Sequence, residues 1–115
     1  MTNARTERQS EAEVPGAESL MVAVDEFRKE ASARLDARRR TQMGQFLTPS
    51  PIASFMAEMF RGKKPTVRVL DPGAGVGSLC AAVVSTLCQS PTRPAMIAVT
   101  AYEVDPLLVL SLIHI

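Results

Sequence analysis

The sequence contains few residues of the kinds that bind metals or cross-link small secreted domains. It has two cysteines, Cys80 and Cys88, and one histidine, His114, and their spacing matches no zinc-binding pattern. No metal site is therefore predicted. Because both cysteines fall in or directly after one predicted helix, we expect free thiols, buried or half-buried, in a reducing compartment.

An excess of charge of either sign is also lacking. Thirteen Lys and Arg residues stand against twelve Asp and Glu residues, which gives a net charge of +1 at pH 7. This balance excludes an overall attraction to nucleic acid or to an acidic membrane. If DNA is a partner, the basic surface that meets it has to be local or to lie elsewhere in the protein.

Long hydrophobic runs are missing as well. Residues 1–13 are polar and carry no signal-peptide core, and the longest apolar run, residues 106–115, is too short to span a bilayer. We therefore expect a cytoplasmic protein with no membrane partner.

What is present is the composition of one small folded domain, because 46% of the 115 residues are apolar. Residues 1–16 predict a flexible N-terminus, and residues 17–43 predict a basic amphipathic helix followed by a loop. From residue 44 to 115, predicted helices alternate with strands. This order predicts an α/β fold with a parallel sheet, preceded by a helix.

The N-terminal helix, predicted over residues 17–40, has an apolar stripe with spacings of three and four. Its members are Leu20, Met21, Val24, Phe27, Ala31 and Leu35. Basic residues crowd its C-terminal half: Arg28, Lys29, Arg34, Arg38, Arg39 and Arg40. Two interpretations remain open, a solvated face that compensates the helix dipole or a face that contacts phosphates.

A second helix is predicted after a loop that spans residues 41–50. Ser50 is expected to cap this helix and Pro51 to take its first position. Its predicted inward face is apolar and consists of Ile52, Phe55, Met56, Met59 and Phe60.

Two strands and a third helix follow. Residues 66–70 predict a strand, and residues 96–102 form a near-continuous apolar run typical of a buried parallel strand. The helix between them is predicted over residues 78–87, with its inward side chains at Leu79, Ala82, Val83 and Leu87. Asp105 with Pro106 signals the start of a further helix.

A glycine-rich turn links the first strand to this helix. Its glycines, Gly73, Gly75 and Gly77, are spaced G-x-G-x-G, whereas the position of the third glycine of a dinucleotide fold is occupied by Ser78. Asp71 stands before the first glycine. A carboxylate there repels a pyrophosphate and attracts a cationic ammonium, so the charge favours S-adenosylmethionine over NAD.

The second strand ends at another acid, Glu103. A carboxylate in this place can accept hydrogen bonds from both hydroxyls of a ribose. Asp71 and Glu103 together with the glycines therefore predict a nucleoside site. The alternative is a plain tight turn with two unrelated acids at the strand ends.

Three segments resemble motifs of class I S-adenosylmethionine-dependent methyltransferases. Residues 71–77, DPGAGVG, resemble motif I in the form found in amino-methylating DNA methyltransferases. Residues 101–105, AYEVD, resemble the acidic motif II. Residues 44–49, GQFLTP, resemble motif X, which precedes motif I in the adenine DNA methyltransferases of restriction–modification systems. The resemblance implies the N-terminal half of a Rossmann-like methyltransferase fold over residues 44–115, truncated before its remaining strands.

Motif X implies contacts with the cofactor, S-adenosylmethionine. Phe46 would pack against the cofactor, and Thr48 with Pro49 would lie by its methionine end. Two alternatives are simpler: Phe46 as a core residue, and Thr48 as a cap of the following helix.

Motifs I and II imply the remaining contacts. Asp71, Gly73 and Gly75 would line the methionine and ribose side of the cofactor. Glu103 would hold the ribose hydroxyls, and Val104 would flank the adenine ring.

The catalytic motif of the family, Asn/Asp/Ser-Pro-Pro followed by an aromatic, is absent from the sequence. No catalytic residue is therefore assigned, and the chain alone is expected to be inactive. The resemblance implies a protein that methylates adenine in DNA, with a cognate restriction endonuclease or a specificity domain as a possible partner. The alternatives are a non-catalytic cofactor-binding module of a multi-subunit methyltransferase, or a methyltransferase that acts on RNA or protein.

Overall fold

The computed structural model describes residues 16–60 and 63–113, and within these ranges helices and strands follow one another in α/β order. The elements are α1 Ala17–Arg34, α2 Ala37–Met43, α3 Ser50–Ala57, β1 Thr66–Asp71, α4 Ser78–Gln89, β2 Met96–Ala101 and α5 Pro106–Ile113. The predicted flexible N-terminus, apart from Gly16, lies outside the described residues. Among the described helices, none is both long and apolar enough to cross a membrane.

The predicted N-terminal helix is two helices. Leu35 adopts an extended conformation, and Asp36 caps α2 by accepting a hydrogen bond from the Arg38 N–H at 3.3 Å. The prediction of one helix over 17–40 and a loop from residue 41 was therefore wrong. The chain bends because Leu35, which is only 5% exposed, turns into the core and Asp is a favoured N-cap.

The apolar stripe of α1 is correctly predicted. Val24 is buried in a core with Leu35, Val76, Ala81 and Leu108, and the side chains of Leu20, Met21 and Ala31 pack against it. Part of the basic charge of α1 is paired within the helix: the Arg28 Nε donates to Asp25 Oδ1 at 2.8 Å. Lys29 Nζ lies 3.1 Å from Glu26 Oε1. The contact of this helix with phosphate stays a prediction.

The face of α3 that packs inward differs from the predicted one. Ala53 and Ala57 are buried against Ala82 of α4, because small side chains let the two helices approach closely. The predicted inward residues are all exposed: Ile52, Phe55, Met56, Met59 and Phe60. Ser50 is the first helical residue and does not cap. Its N–H bonds instead to the Asp25 carboxylate of α1 at 3.3 Å.

The helix α4 joins the helical layer to the sheet, since it packs against α1 and α3 and also contacts both strands. Of its predicted inward residues, Ala82 and Leu87 are buried, whereas Leu79 and Val83 are half-buried. Cys80 is buried and Cys88 is exposed, so the expectation of shielded thiols holds for the first cysteine only.

The strands β1 and β2 pair in parallel, with Thr66 opposite Met96 and Asp71 opposite Ala101. The prediction of a parallel pair is confirmed, but the prediction that β2 is buried was wrong. Val99 of β2 is 42% exposed and Met96 is 56% exposed. These side chains are exposed because, within the described residues, the sheet has two strands and helices cover it incompletely.

This exposure predicts the behaviour of the 115-residue chain expressed by itself. A parallel pair of strands needs cover on both faces and partners at its edges, so the isolated polypeptide is expected to aggregate or to be partly unfolded. Circular dichroism melts at several protein concentrations, with light scattering, test this. A single cooperative melt that is independent of concentration would contradict it.

Candidate functional site

The glycine turn follows β1 and is hydrogen-bonded to the end of β2. The Tyr102 N–H donates to the Asp71 carbonyl at 2.9 Å, and the Ala74 N–H donates to the Tyr102 carbonyl at 3.0 Å. The strand pairing thus continues beyond β1 and β2, and it holds the turn at the carboxyl ends of both strands. In open α/β sheets this edge is where ligands bind.

Glycine is required at two points of the turn. Gly75 has a φ of +58° and Gly77 has a φ of +89°, in the left-handed region that other residues adopt at a cost. A Cβ at Gly75 would lie only 3.2 Å from Leu47 Cδ2. The turn is therefore shaped both by its own backbone and by the loop between α2 and α3.

Asp71 is held in place by two donors. Its Oδ1 accepts from the Gly73 N–H at 3.3 Å, and its Oδ2 accepts from the Cys80 thiol at 3.3 Å. Burial raises the pKa of the Cys80 thiol from 9.0 to about 12, and the hydrogen bond to the Asp71 carboxylate adds to the effect. Cys80 is therefore a protonated donor near neutral pH, a role that its position in a helix did not reveal.

The two cysteines are predicted to differ in reactivity. In a protein with an intact fold, a thiol reagent at pH 8 should modify exposed Cys88 and spare Cys80, because only a thiolate attacks. Mass spectrometry of the labelled peptides measures this, and denatured protein, in which both react, is the control. Equal labelling of the two thiols in the folded protein would refute it.

The same pKa shift has a consequence for stability. A thiol whose pKa is higher in the folded than in the unfolded state favours folding, and this contribution is complete below the unfolded value. It is lost as the pH rises from about 9 toward about 12.

Glu103 links the glycine turn to the segment that follows β2 through hydrogen bonds to backbone N–H groups of both. Its Oε2 accepts from the Gly75 N–H at 2.8 Å, and its Oε1 accepts from the Val104 and Asp105 N–H groups at 2.8 and 2.9 Å. A carboxylate offers about four acceptor positions, so about one remains for a ligand. The side chain of Val104 is 83% exposed.

The motif X segment lies against the glycine turn and forms a cleft with it. The residues that line the cleft are Phe46, Leu47, Thr48, Gly73, Ala74, Gly75, Val76, Ser78 and Leu79. The cleft has a volume of about 50 Å³, against roughly 300–1,000 Å³ for a complete small-molecule pocket. It therefore has the size of one part of a nucleoside site.

The two simpler interpretations of motif X are not supported by this geometry. Phe46 is 77% exposed and is not a core residue. Thr48 does not cap the following helix, because Pro49 is the N-cap of α3 and no side chain makes a capping bond there.

The structure thus brings together four of the eight predicted site residues in the cleft: Phe46, Thr48, Gly73 and Gly75. Asp71 and Glu103 join this group through their bonds to the glycine N–H groups. Pro49 and Val104 do not line the cleft.

A further pair was missed by the sequence analysis. Gln45 Nε2 donates to Asp105 Oδ2 at 2.6 Å, across 60 positions of sequence. Gln45 lies in the motif X segment and Asp105 in the motif II segment, but the sequence does not show which residue a polar side chain will bond to.

The family model described as N-6 DNA Methylase matches residues 31–106. The chain belongs to this family. The match covers both sides of the cleft and confirms the resemblance that motifs X, I and II carry.

Three relatives are Type II methyltransferases by name. M.PstI from Providencia stuartii is 36% identical over 97 residues, which are 84% of this chain and 19% of the relative. M.BsuBI from Bacillus subtilis is 39% identical over 69 residues, 59% of this chain and 13% of the relative. M.AccI from Acinetobacter calcoaceticus is 32% identical over 77 residues, 67% of this chain and 13% of the relative.

The chain therefore spans less than a fifth of the length of these relatives. No solved structure matches it significantly. Within residues 16–60 and 63–113, no group of three or more potential metal ligands is found.

Proposed function

We propose that the chain supplies the S-adenosylmethionine-binding surface of a methyltransferase that modifies the exocyclic amino group of adenine in DNA, as part of a restriction–modification system. The observation that carries this proposal is the meeting of the motif X segment, the glycine turn and Glu103 at the carboxyl ends of two parallel strands. Membership of the N-6 DNA Methylase family supports the reaction and its substrate.

The residues at the cleft fit the charge of this cofactor. Its lining contains no basic side chain, and the carboxylates of Asp71 and Glu103 flank the glycine turn. Such a surface disfavours a pyrophosphate and favours a ligand with an ammonium and a sulfonium. When bound, this cofactor supplies a methyl group activated by its sulfonium.

The proposed roles of individual residues are those that the resemblance implies. Gly73 and Gly75 would present bare backbone to the methionine and ribose side of the cofactor, where Asp71 would attract the ammonium, and Glu103 would accept from the ribose hydroxyls. Phe46 would pack against the cofactor, and Thr48 with Pro49 would lie by its methionine end. Val104, largely exposed, offers an apolar surface to the adenine ring of the cofactor.

The sheet of this chain is proposed to be part of a Rossmann-like methyltransferase sheet, with residues 44–115 in the cofactor-binding part and the basic helices before it. Transfer to the amino group needs no covalent enzyme intermediate once the two reactants are positioned in line. The proposed role of this chain's residues is to bind and orient the cofactor. The Pro-Pro-aromatic motif, which by the resemblance holds the target base, is absent from the sequence.

Incubation of the complete gene product with tritiated S-adenosylmethionine tests the proposal. DNA should become labelled, with N6-methyladenine as the product seen by mass spectrometry, and RNA and protein should stay unlabelled. Label on cytosine, RNA or protein would reject the adenine assignment. Label on DNA only when a second subunit is added would favour the alternative of a non-catalytic cofactor-binding module.

A cognate restriction endonuclease or a specificity domain is the proposed protein partner, and the cytoplasm is the proposed compartment. The Type II names of the relatives support such a system. Digestion of methylated and unmethylated DNA by the endonuclease would show whether the modification protects.

A further inference from the structure

A partly buried hydrogen bond connects two segments of the proposed cofactor site. Gln45, in motif X, donates from Nε2 to Asp105 Oδ2 at 2.6 Å, and Asp105 is 1% exposed. The other oxygen of Asp105 accepts from the Leu107 N–H at 2.9 Å and so caps the start of α5. One carboxylate therefore fixes both the beginning of α5 and the loop that precedes α3.

The residue after Gln45 is largely exposed. Phe46 is 77% exposed, and its N–H makes a local bond to the Gly44 carbonyl at 3.0 Å. Its neighbours are fixed instead: Gln45 by Asp105, and Leu47 by contact with the glycine turn. The position of Phe46 over the cleft thus depends on the two residues that flank it.

We propose that Gln45 and Asp105 are positioning residues that hold Phe46 against the cofactor. The inference rests on the proposed function, because it concerns affinity for S-adenosylmethionine. An ordered loop loses less conformational freedom on binding, so a bond that orders it in the free protein raises affinity without touching the ligand. A hydrogen bond to a buried carboxylate is among the stronger ones available for this.

Gln45→Met in the complete gene product removes the donor and keeps the side-chain length. Gln45 Oε1 is buried with no hydrogen-bond partner in the described part of the chain, so methionine also removes an unpaired acceptor. The dissociation constant of S-adenosylmethionine should rise about tenfold, or roughly 1.4 kcal/mol. Gln42→Met, the same change at an exposed position of α2, is the matched control and should stay within twofold of the unmodified protein.

Combining Gln45→Met with Phe46→Ala distinguishes an effect on the position of Phe46 from a general loss of structure. Phe46→Ala should weaken binding, and adding Gln45→Met to it should weaken binding little further, because the bond acts through Phe46. Fully additive effects of the two substitutions, or an unchanged dissociation constant in folded Gln45→Met, would overturn the proposal.

A second variant tests the proposal if the Gln45→Met protein does not fold. Asp105→Asn has one oxygen for two donors: the oxygen can still cap Leu107, and the amide N–H then faces Gln45, which has to turn its unpaired Oε1 toward it. The bond loses its charge, and the dissociation constant should rise about threefold, again without additivity to Phe46→Ala. An Asp105→Asn protein with unchanged affinity would overturn the proposal. If the unmodified, folded protein binds no S-adenosylmethionine, the proposed function itself fails, which is a separate outcome.

Discussion

Gly75→Ala is expected to destabilise the fold by about 2–4 kcal/mol, because two costs combine at this position. The φ of +58° is strained for alanine, and the added Cβ would lie 3.2 Å from Leu47 Cδ2. The Leu47 side chain then has to give way by a few tenths of an ångström. Affinity for S-adenosylmethionine should fall on the order of a hundredfold, since the cleft and the bond between the Gly75 N–H and Glu103 are both disturbed.

Two other glycines provide matched controls for this substitution. Gly44 has a φ of +63°, but a Cβ added there would meet no atom within 4 Å, so Gly44→Ala should show the strain alone, about 1–2 kcal/mol. Gly73 has neither a positive φ nor a close neighbour, so Gly73→Ala should leave stability nearly unchanged. Thermal melts of the complete gene product, followed by calorimetric titration with S-adenosylmethionine, measure the series. Equal stability losses for Gly44→Ala and Gly75→Ala would show that Leu47 yields without cost.

Glu103→Gln is the second substitution with a large expected effect. The carboxylate accepts from three backbone N–H groups, whereas the amide has one oxygen and presents N–H atoms in place of the other. At least one partly buried donor then loses its partner, which should cost about 1 kcal/mol of stability, the low end of the range for a buried donor. Affinity for S-adenosylmethionine should fall roughly 10- to 100-fold, because the ribose loses a charged acceptor as well.

Titration with S-adenosylmethionine would show how Glu103 shares its acceptor positions between the backbone and the ribose. About one acceptor position of Glu103 is free, and a ribose offers two hydroxyls, so binding through both requires one backbone bond to be shared or released. Amide chemical shifts of Gly75 on titration would report this directly. Glu30→Gln, on the exposed side of α1, is the control and should change neither stability nor affinity. Unchanged affinity in folded Glu103→Gln would remove Glu103 from the proposed site.

The parts of the site that could be predicted are those that depend on local chemistry. Strand-forming residues followed by G-x-G-x-G place a turn after β1, and an acid at the end of the next strand lies beside it because parallel strands end at one edge. Membership of the N-6 DNA Methylase family agrees with this prediction. The bonds from the Gly75 N–H to Glu103 and from the Cys80 thiol to Asp71 could not be predicted, because the sequence position of a carboxylate does not say which donor it will face.

Which residues of α3 face the core could not be predicted from the sequence pattern. In α3, apolar residues occupy more than one face, and the sequence pattern favoured Phe55 and Met56 as the inward side chains. The structure buries Ala53 and Ala57 instead, because close approach to Ala82 of α4 requires small side chains at the contact. Likewise, the bend after α1 follows from the burial of Leu35, a gain that exists only when α4 and α5 are in place.

The amino-acid sequence by itself determined the order of helices and strands from α3 onward, the place of the glycine turn and the chemical character of the residues around it, since each depends on neighbours a few positions away. Only the tertiary structure decided which helix faces are buried, that the Cys80 thiol donates to Asp71, that the Gly75 N–H donates to Glu103, and that Gln45 reaches Asp105. These depend on contacts between distant segments, and their free energy arises only when packing brings the segments together.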